Sequence, residues 1–232
     1  MAARVLQVLA PEAPVFRRHR FLVLPRRLPL SLDAEPDTEY QYSNLGYNVL
    51  GLIIEEVSGT NFDEFMKSNI LDESKMSNSD FRYFKIPAPL RSSPHTDRMI
   101  THAVYERKVY PYTREHAPSS TLDSSSTDLS KWMITVLDSL SNSSGEGLYD
   151  TMIEPSSPLS PYIGLGFQLG NLGSKNTIGH YGGDRGFRSY LLMIPEENMG
   201  LVVLANCDYQ EDFRQEILHS IAGLMTSNLN DE

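Results

Sequence analysis

A single cysteine, Cys207, stands in 232 residues, so no internal disulfide can form. No apolar run reaches the ~18 residues that span a bilayer as a helix. Positive charge is short: 20 Lys and Arg face 30 Asp and Glu, for a net charge of -10. A chain this acidic repels phosphate backbones, which excludes nucleic acid as an expected partner. His95, His102 and His116 lack the spacing of a metal site, so no metal and no cofactor is expected. There is no Gly-x-Ser-x-Gly elbow, which leaves an α/β-hydrolase triad unsupported. What is present, 40% hydrophobic and 22% charged residues, suits one large globular domain or two small ones.

Charge is unevenly spread. Six arginines and one acid (Glu12) give residues 1–32 about +5, so with a net of -10 the remainder carries about -15. Pro11, Pro14, Pro25 and Pro29 interrupt any long helix there. Three readings stay open for residues 1–33. A mitochondrial transit peptide would be Arg-rich and acid-poor, but also serine-rich and helical. A secretory signal would need a longer apolar core than Ala3 to Ala10, which holds Arg4 and Gln7. The third is an unrelated leader outside the fold, with the folded domain over 34–232. The compartment is left open.

Leu45 to Ser58 reads as a helix. Leu45, Val49, Leu50, Ile53, Ile54 and Val57 form one apolar stripe, Ser43 or Asn44 caps it, and Gly59 ends it. A second helix is expected from about Asn61 to Leu71, capped by Thr60 or Asn61, with Phe62, Phe65, Met66 and Ile70 inward. Residues 77–126 show little periodicity and read as loop or extended segments. Thr127 is expected to cap a third helix to about Leu140, with Leu129, Trp132, Met133, Val136 and Leu137 inward. Strands are expected at Tyr162–Leu169, Thr177–Tyr181, Phe187–Ile194 and Gly200–Asn206, then an amphipathic helix from Glu211 to Met225. Helices, then a strand meander, then a helix predict an α+β fold.

Two stretches carry chemistry. The first is Tyr40-Gln-Tyr42-Ser43-Asn44-Leu-Gly-Tyr-Asn-Val-Leu-Gly-Leu-Ile-Ile-Glu-Glu-Val-Ser-Gly59. The second is Gly179-His180-Tyr181-Gly182-Gly183-Asp-Arg-Gly-Phe-Arg-Ser189. Taken alone, Tyr42 reads as a packing aromatic, Asn44 as a cap and His180 as a strand-end histidine. With their flanks, and with His116 to Leu122 between them, they resemble the class C β-lactamase-like, penicillin-recognising serine hydrolases. The resemblance covers about residues 36–226. It implies a β-lactamase/transpeptidase-like α+β fold, an antiparallel sheet with flanking helices plus a helical region. It also implies acyl-enzyme chemistry of the esterase, peptidase or β-lactamase type, on a small-molecule or peptide acyl substrate. Members of that family are often secreted or periplasmic.

By that resemblance Tyr42 handles the proton of the nucleophile, and Asn44 hydrogen-bonds the substrate carbonyl. His180 stands where a Lys-Thr-Gly lysine would be, and Gly183 N–H serves as an oxyanion donor. Ser43, Tyr181 and Gly182 line the substrate. One element is missing. No lysine has a serine three residues earlier: Lys67, Lys75, Lys85, Lys108, Lys131 and Lys175 follow Glu64, Asp72, Arg82, Tyr105, Asp128 and Leu172 at that spacing. The nucleophile motif Ser-x-x-Lys is therefore absent from these residues. The resemblance then implies an N-terminally truncated domain, without the first strands and the nucleophile helix. Such a chain is expected to be inactive alone, and either marginal in stability or dependent on a complementing chain. The alternative is a non-catalytic module that keeps the pocket to bind a ligand.

Overall fold

The computed structural model describes residues 33–36, 38–97, 101 and 103–209, together with Arg214, Glu216, Ile217, Ser220 and Ile221. The Arg-rich leader, His102 and most of the closing helix lie outside the described residues; the five positions described beyond 209 are helical.

Helix α1 spans Asn44–Ser58. The Ser43 hydroxyl accepts from Gly46 N–H at 3.0 Å, and Gly59 ends the helix at φ 69, a left-handed turn that glycine adopts without strain. The expected apolar stripe does not face the core as a unit. The buried side runs through Gly51, against Pro118, and through Ile54. Leu45, Leu52 and Val57 are instead 65%, 52% and 73% exposed. The reason is steric. The residue with no side chain gives the closest approach, and a Cβ on Gly51 would lie 2.1 Å from Pro118 Cγ. Gly51→Val is therefore expected to cost about 2–3 kcal/mol by forcing α1 off that ring. A urea midpoint equal to that of the parent chain would contradict the contact.

Helix α2, Phe62–Met66, continues as a π turn over Lys67–Leu71. Asn61 makes no side-chain cap; Glu55 Oε1 accepts from Phe62 N–H at 2.9 Å instead. The wider turn brings Leu71 inward and leaves Phe65 and Ile70 half-buried. Two more short helices follow in the chain, α3 (Ala117–Ser120) and, beyond the long helix, α5 (Leu148–Ile153). Between them lies α4, Ser126–Ser141, capped by Ser125 rather than Thr127: its hydroxyl accepts from Asp128 N–H at 3.1 Å.

The main sheet is antiparallel, in the order β3 (Gln168–Leu172), β4 (Lys175–Asp184), β5 (Phe187–Ile194) and β6 (Met199–Ala205). The expected first strand starts late: Tyr162 to Phe167 turn through Gly166 at φ 90, and pairing begins at Gln168. A second, small sheet pairs β1 (His95–Asp97) with β2 (Val104–Glu106) and with β7 (Cys207–Asp208), where Cys207 is buried.

One face of the main sheet packs on α4. Ile178 and Met193 meet Met133, Val136, Leu137 and Phe167, with Leu191 and Val202 alongside. A second core, Phe62, Leu71, Met76, Phe81 and Ala117, ties α2 to α3, and Trp132 packs against both. The opposite sheet face carries Tyr190 and Leu192 with Tyr181, Leu201 and Val203. The architecture is α+β, with helices packed on an antiparallel sheet. Among the described residues no helix is long and apolar enough to cross a membrane.

Candidate functional site

Two elements separated by well over a hundred residues meet at the site. Tyr42 lies two residues before α1, and His180 lies in the middle of β4; their rings are 6.5 Å apart at 37°. Tyr42 is 61% exposed, so its hydroxyl faces solvent rather than anchoring a core. Asn44 opens α1 next to it. Ser43 is spent on the helix cap, so its hydroxyl orients Tyr42 and Asn44 through the backbone.

Strand alternation sorts the second motif. His180 pairs with Leu191 and Gly182 with Ser189, so these side chains share the face that meets α4. Tyr181 points to the far face, stacked on Tyr190 at 4.1 Å. It therefore acts as a wall behind the motif and does not line the Tyr42 side. Arg188 opposes Gly183 on that far face, and its Nη1 donates to the carbonyls of Asp184 and Phe187. A substrate carboxylate on the His180 side is out of its direction.

Gly183 owes its position to where β3 stops. The β3–β4 ladder ends at Gln168 opposite Gly179, leaving the edge of His180–Asp184 unpaired by any strand among the described residues. Tyr181 N–H points to that edge and donates to Gln168 Oε1 at 3.3 Å. Backbone groups alternate along a strand, so Gly183 N–H points the same way, outward and exposed. An outward, pre-oriented N–H at a strand end is what an oxyanion donor requires.

Two supporting residues escaped the sequence reading. Arg214 is 8% exposed; its Nη1 donates to Gly182 O at 2.6 Å and Ser189 O at 2.7 Å, and its guanidinium lies 4.9 Å over the Tyr181 ring. Its signal was present as a charge three and seven residues before Ile217 and Ile221, on the helix side that the apolar residues mark. Gln168 had no signal, because its role depends on a strand end.

The electrostatics around Tyr42 are those of phenols. Burial first, then neighbouring tyrosines, push the hydroxyl pKa values of Tyr40 and Tyr47 upward. A phenol titrates near ~10, so a tyrosine base needs a cation brought close to it. Three of the six described lysines have other partners: Lys67 binds Asp72, Lys131 binds Asp128 and Lys175 binds Glu197. Tyr42 and His180 thus approach one another, with Asn44 two residues along the chain from the first and Gly183 three from the second.

A sheet backed by a long helix, with a Tyr-Ser-Asn turn facing a His-Tyr-Gly strand, defines a β-lactamase-like domain. The beta-lactamase family model matches residues 14–224, and the chain belongs to that family. Among curated proteins it is 27% identical over 181 residues to Protein flp of Staphylococcus aureus (strain MW2), covering 75% of this chain and 35% of that protein. It is 25% identical over 197 residues to Penicillin-binding protein 4* of Bacillus subtilis (strain 168), covering 79% of this chain and 43% of that protein. The octameric penicillin-binding protein homologue from Pyrococcus abyssi superposes with a TM-score of 0.68 at 25% identity, over 86% of this chain and 45% of that one. The chain therefore spans less than half the length of each of these three.

Proposed function

We propose that this chain carries the substrate-recognition half of an acyl-transfer site of the serine-hydrolase type, serving an esterase, peptidase or β-lactamase reaction. The observation that carries the reading is the approach of Tyr42 to His180 beside the unpaired edge of β4. In this reading His180 and Asn44 hydrogen-bond the acyl substrate. Gly183 N–H stabilises charge on the attacked carbonyl oxygen. Tyr42 receives and returns the proton of an incoming hydroxyl. Residues 34–232 form the domain that does this, and residues 1–33 lie outside it. A hydroxyl nucleophile with its lysine has to come from elsewhere, so the chain alone binds without turning over. Two of the similar proteins carry penicillin binding in their names, which makes a β-lactam the first ligand to try.

The test is ligand-dependent stabilisation. A saturating penicillin is expected to raise the melting temperature of the purified chain, by about 2.7 kcal/mol equivalent at a hundredfold excess over Kd. His180→Ala should remove that shift while leaving the unliganded melt in place, because His180 is half-buried and outside the main core cluster. No shift with β-lactams, D-amino-acid amides or simple acyl esters would sink the proposal. A purely ligand-binding module is the second reading, favoured by the same absence of Ser-x-x-Lys.

A further inference from the structure

The site face of the main sheet can be followed rung by rung along β4 and β5. Ile178 opposite Met193 packs on α4, in the core. His180 opposite Leu191 faces Tyr42. Gly182 opposite Ser189 comes next and carries almost no side chain. Asp184 opposite Phe187 ends the ladder on the same face. The Gly182–Ser189 rung is therefore a floor, with larger side chains before and after it. The floor is fixed, because Arg214 donates to both of its carbonyls. It is also closed to a larger residue, since a Cβ on Gly182 would lie 2.1 Å from Ser189 Oγ. Four residues of strand separate His180 from Asp184, about 13 Å.

The far wall of this floor is aromatic. Tyr110 packs on Phe187 with ring centres 5.5 Å apart, and Tyr83 stacks on Tyr110 at 4.5 Å and 13°. Tyr112 and Phe84 complete the group. None of the five belongs to the three buried clusters, and Phe84 is half exposed. The rings are nevertheless anchored. Tyr110 Oη donates to Asp123 Oδ1, and the Arg91 guanidinium lies 5.6 Å over the Tyr83 ring while donating to the carbonyls of Phe84 and Ile86. The same segment then runs to the helix behind the first motif. Arg114 Nη2 donates to Glu55 Oε1 at 2.7 Å, and His116 Nδ1 lies 3.0 Å from Asn48 Nδ2. An aromatic surface outside every core, yet held rigid between the two motif-bearing elements, is preorganised for contact.

We propose that these rings form the wall of a side-chain subsite, which selects acyl substrates whose side chain ends in an uncharged aromatic ring. The proposal rests on the acyl-transfer reading above. A carbonyl oxygen at Gly183 N–H lies between the Gly182 and Asp184 rungs. A side chain attached to that carbonyl crosses the Gly182–Ser189 floor toward Phe187 and Tyr110. A planar ring there finds the offset or edge-on contacts that aromatic pairs prefer. An anionic ring is disfavoured, because the Asp184 carboxylate shares the last rung, with one oxygen held by Arg185 N–H at 2.6 Å.

The test measures, by calorimetry on the full chain, the affinity for two penicillins that share a nucleus and differ in side chain, one benzyl and one methyl. The benzyl compound is expected to bind about tenfold more tightly. Phe187→Leu and, independently, Phe84→Leu keep apolar bulk and remove a ring. Each should weaken the benzyl compound by about threefold to tenfold and leave the Kd of the methyl compound unchanged. The unliganded melt of each variant is compared with that of the parent chain, so that a folding defect is recognised. Equal affinity for the two penicillins, or a benzyl preference that survives both substitutions, overturns the proposal and leaves the acyl-transfer reading standing. No binding of either compound removes that reading, and the subsite with it.

Discussion

Asp128→Ala is expected to lower the unfolding free energy by about 2–3 kcal/mol, the cost of leaving buried donors without their acceptor. Asp128 is 0% exposed near the start of α4. Its Oδ2 accepts from Asn78 N–H at 2.8 Å and Ser79 Oγ at 2.9 Å, and its Oδ1 accepts from Lys131 Nζ at 2.7 Å. One carboxylate thus ties the loop after the π turn to the long helix under the sheet. Alanine leaves Asn78 N–H and the Ser79 hydroxyl without this acceptor, while the partly exposed Lys131 ammonium keeps Lys75 O at 2.9 Å, and domains have only about 5–15 kcal/mol in total. Asp128→Asn keeps one acceptor and should fall between alanine and the parent chain.

Acid should report the same contact. Burial alone would raise the Asp128 carboxyl, but the Lys131, Asn78 and Ser79 donors outweigh it and hold it below the usual carboxylate range. A carboxyl depressed by folding stabilises above its unfolded pKa, about 3.9, and that contribution is lost as pH falls through the folded pKa. The parent chain should therefore lose stability below about pH 4 more steeply than Asp128→Asn. Urea titrations of the three proteins at pH 7 and through the acid limb check both statements. A loss for alanine under about 1 kcal/mol would mean the network does not exist.

Much of this fold was legible because its signals are local. The Ser43 cap, the Gly59 stop and the apolar spacing placed α1 to within a residue, and alternation between glycine turns placed β5 and β6. The orientation of α1 was not legible. Periodicity reports that an apolar face exists, but contact distance decides which face packs, and here the smallest residue, Gly51, won. The buried contacts of Asp128 were not legible, since its partner loop lies 50 residues away. The Thr127 cap failed for a related reason: three serines precede it, and Ser125 took the role two residues earlier. At the site, Tyr42, Asn44 and His180 were legible as motifs. The approach of Tyr42 to His180, the direction of Arg188 and the open edge at Gly183 needed the sheet register.

The second large effect is a missing reaction. Removing a catalytic serine from a serine hydrolase costs on the order of a million-fold in turnover. In the proposed reading Tyr42, Asn44, His180 and Gly183 bind and polarise a carbonyl, and none of them is an activated hydroxyl nucleophile. Serines elsewhere in the chain lack a lysine at the required spacing. The most direct measurement is intact-mass analysis of the purified 232-residue chain after incubation with a fluorescent penicillin, with Penicillin-binding protein 4* of Bacillus subtilis treated alongside. The expected result is an unmodified mass for this chain under conditions that label the comparison protein. A stoichiometric penicilloyl adduct on this chain, mapped to any of its own serines, would contradict the account.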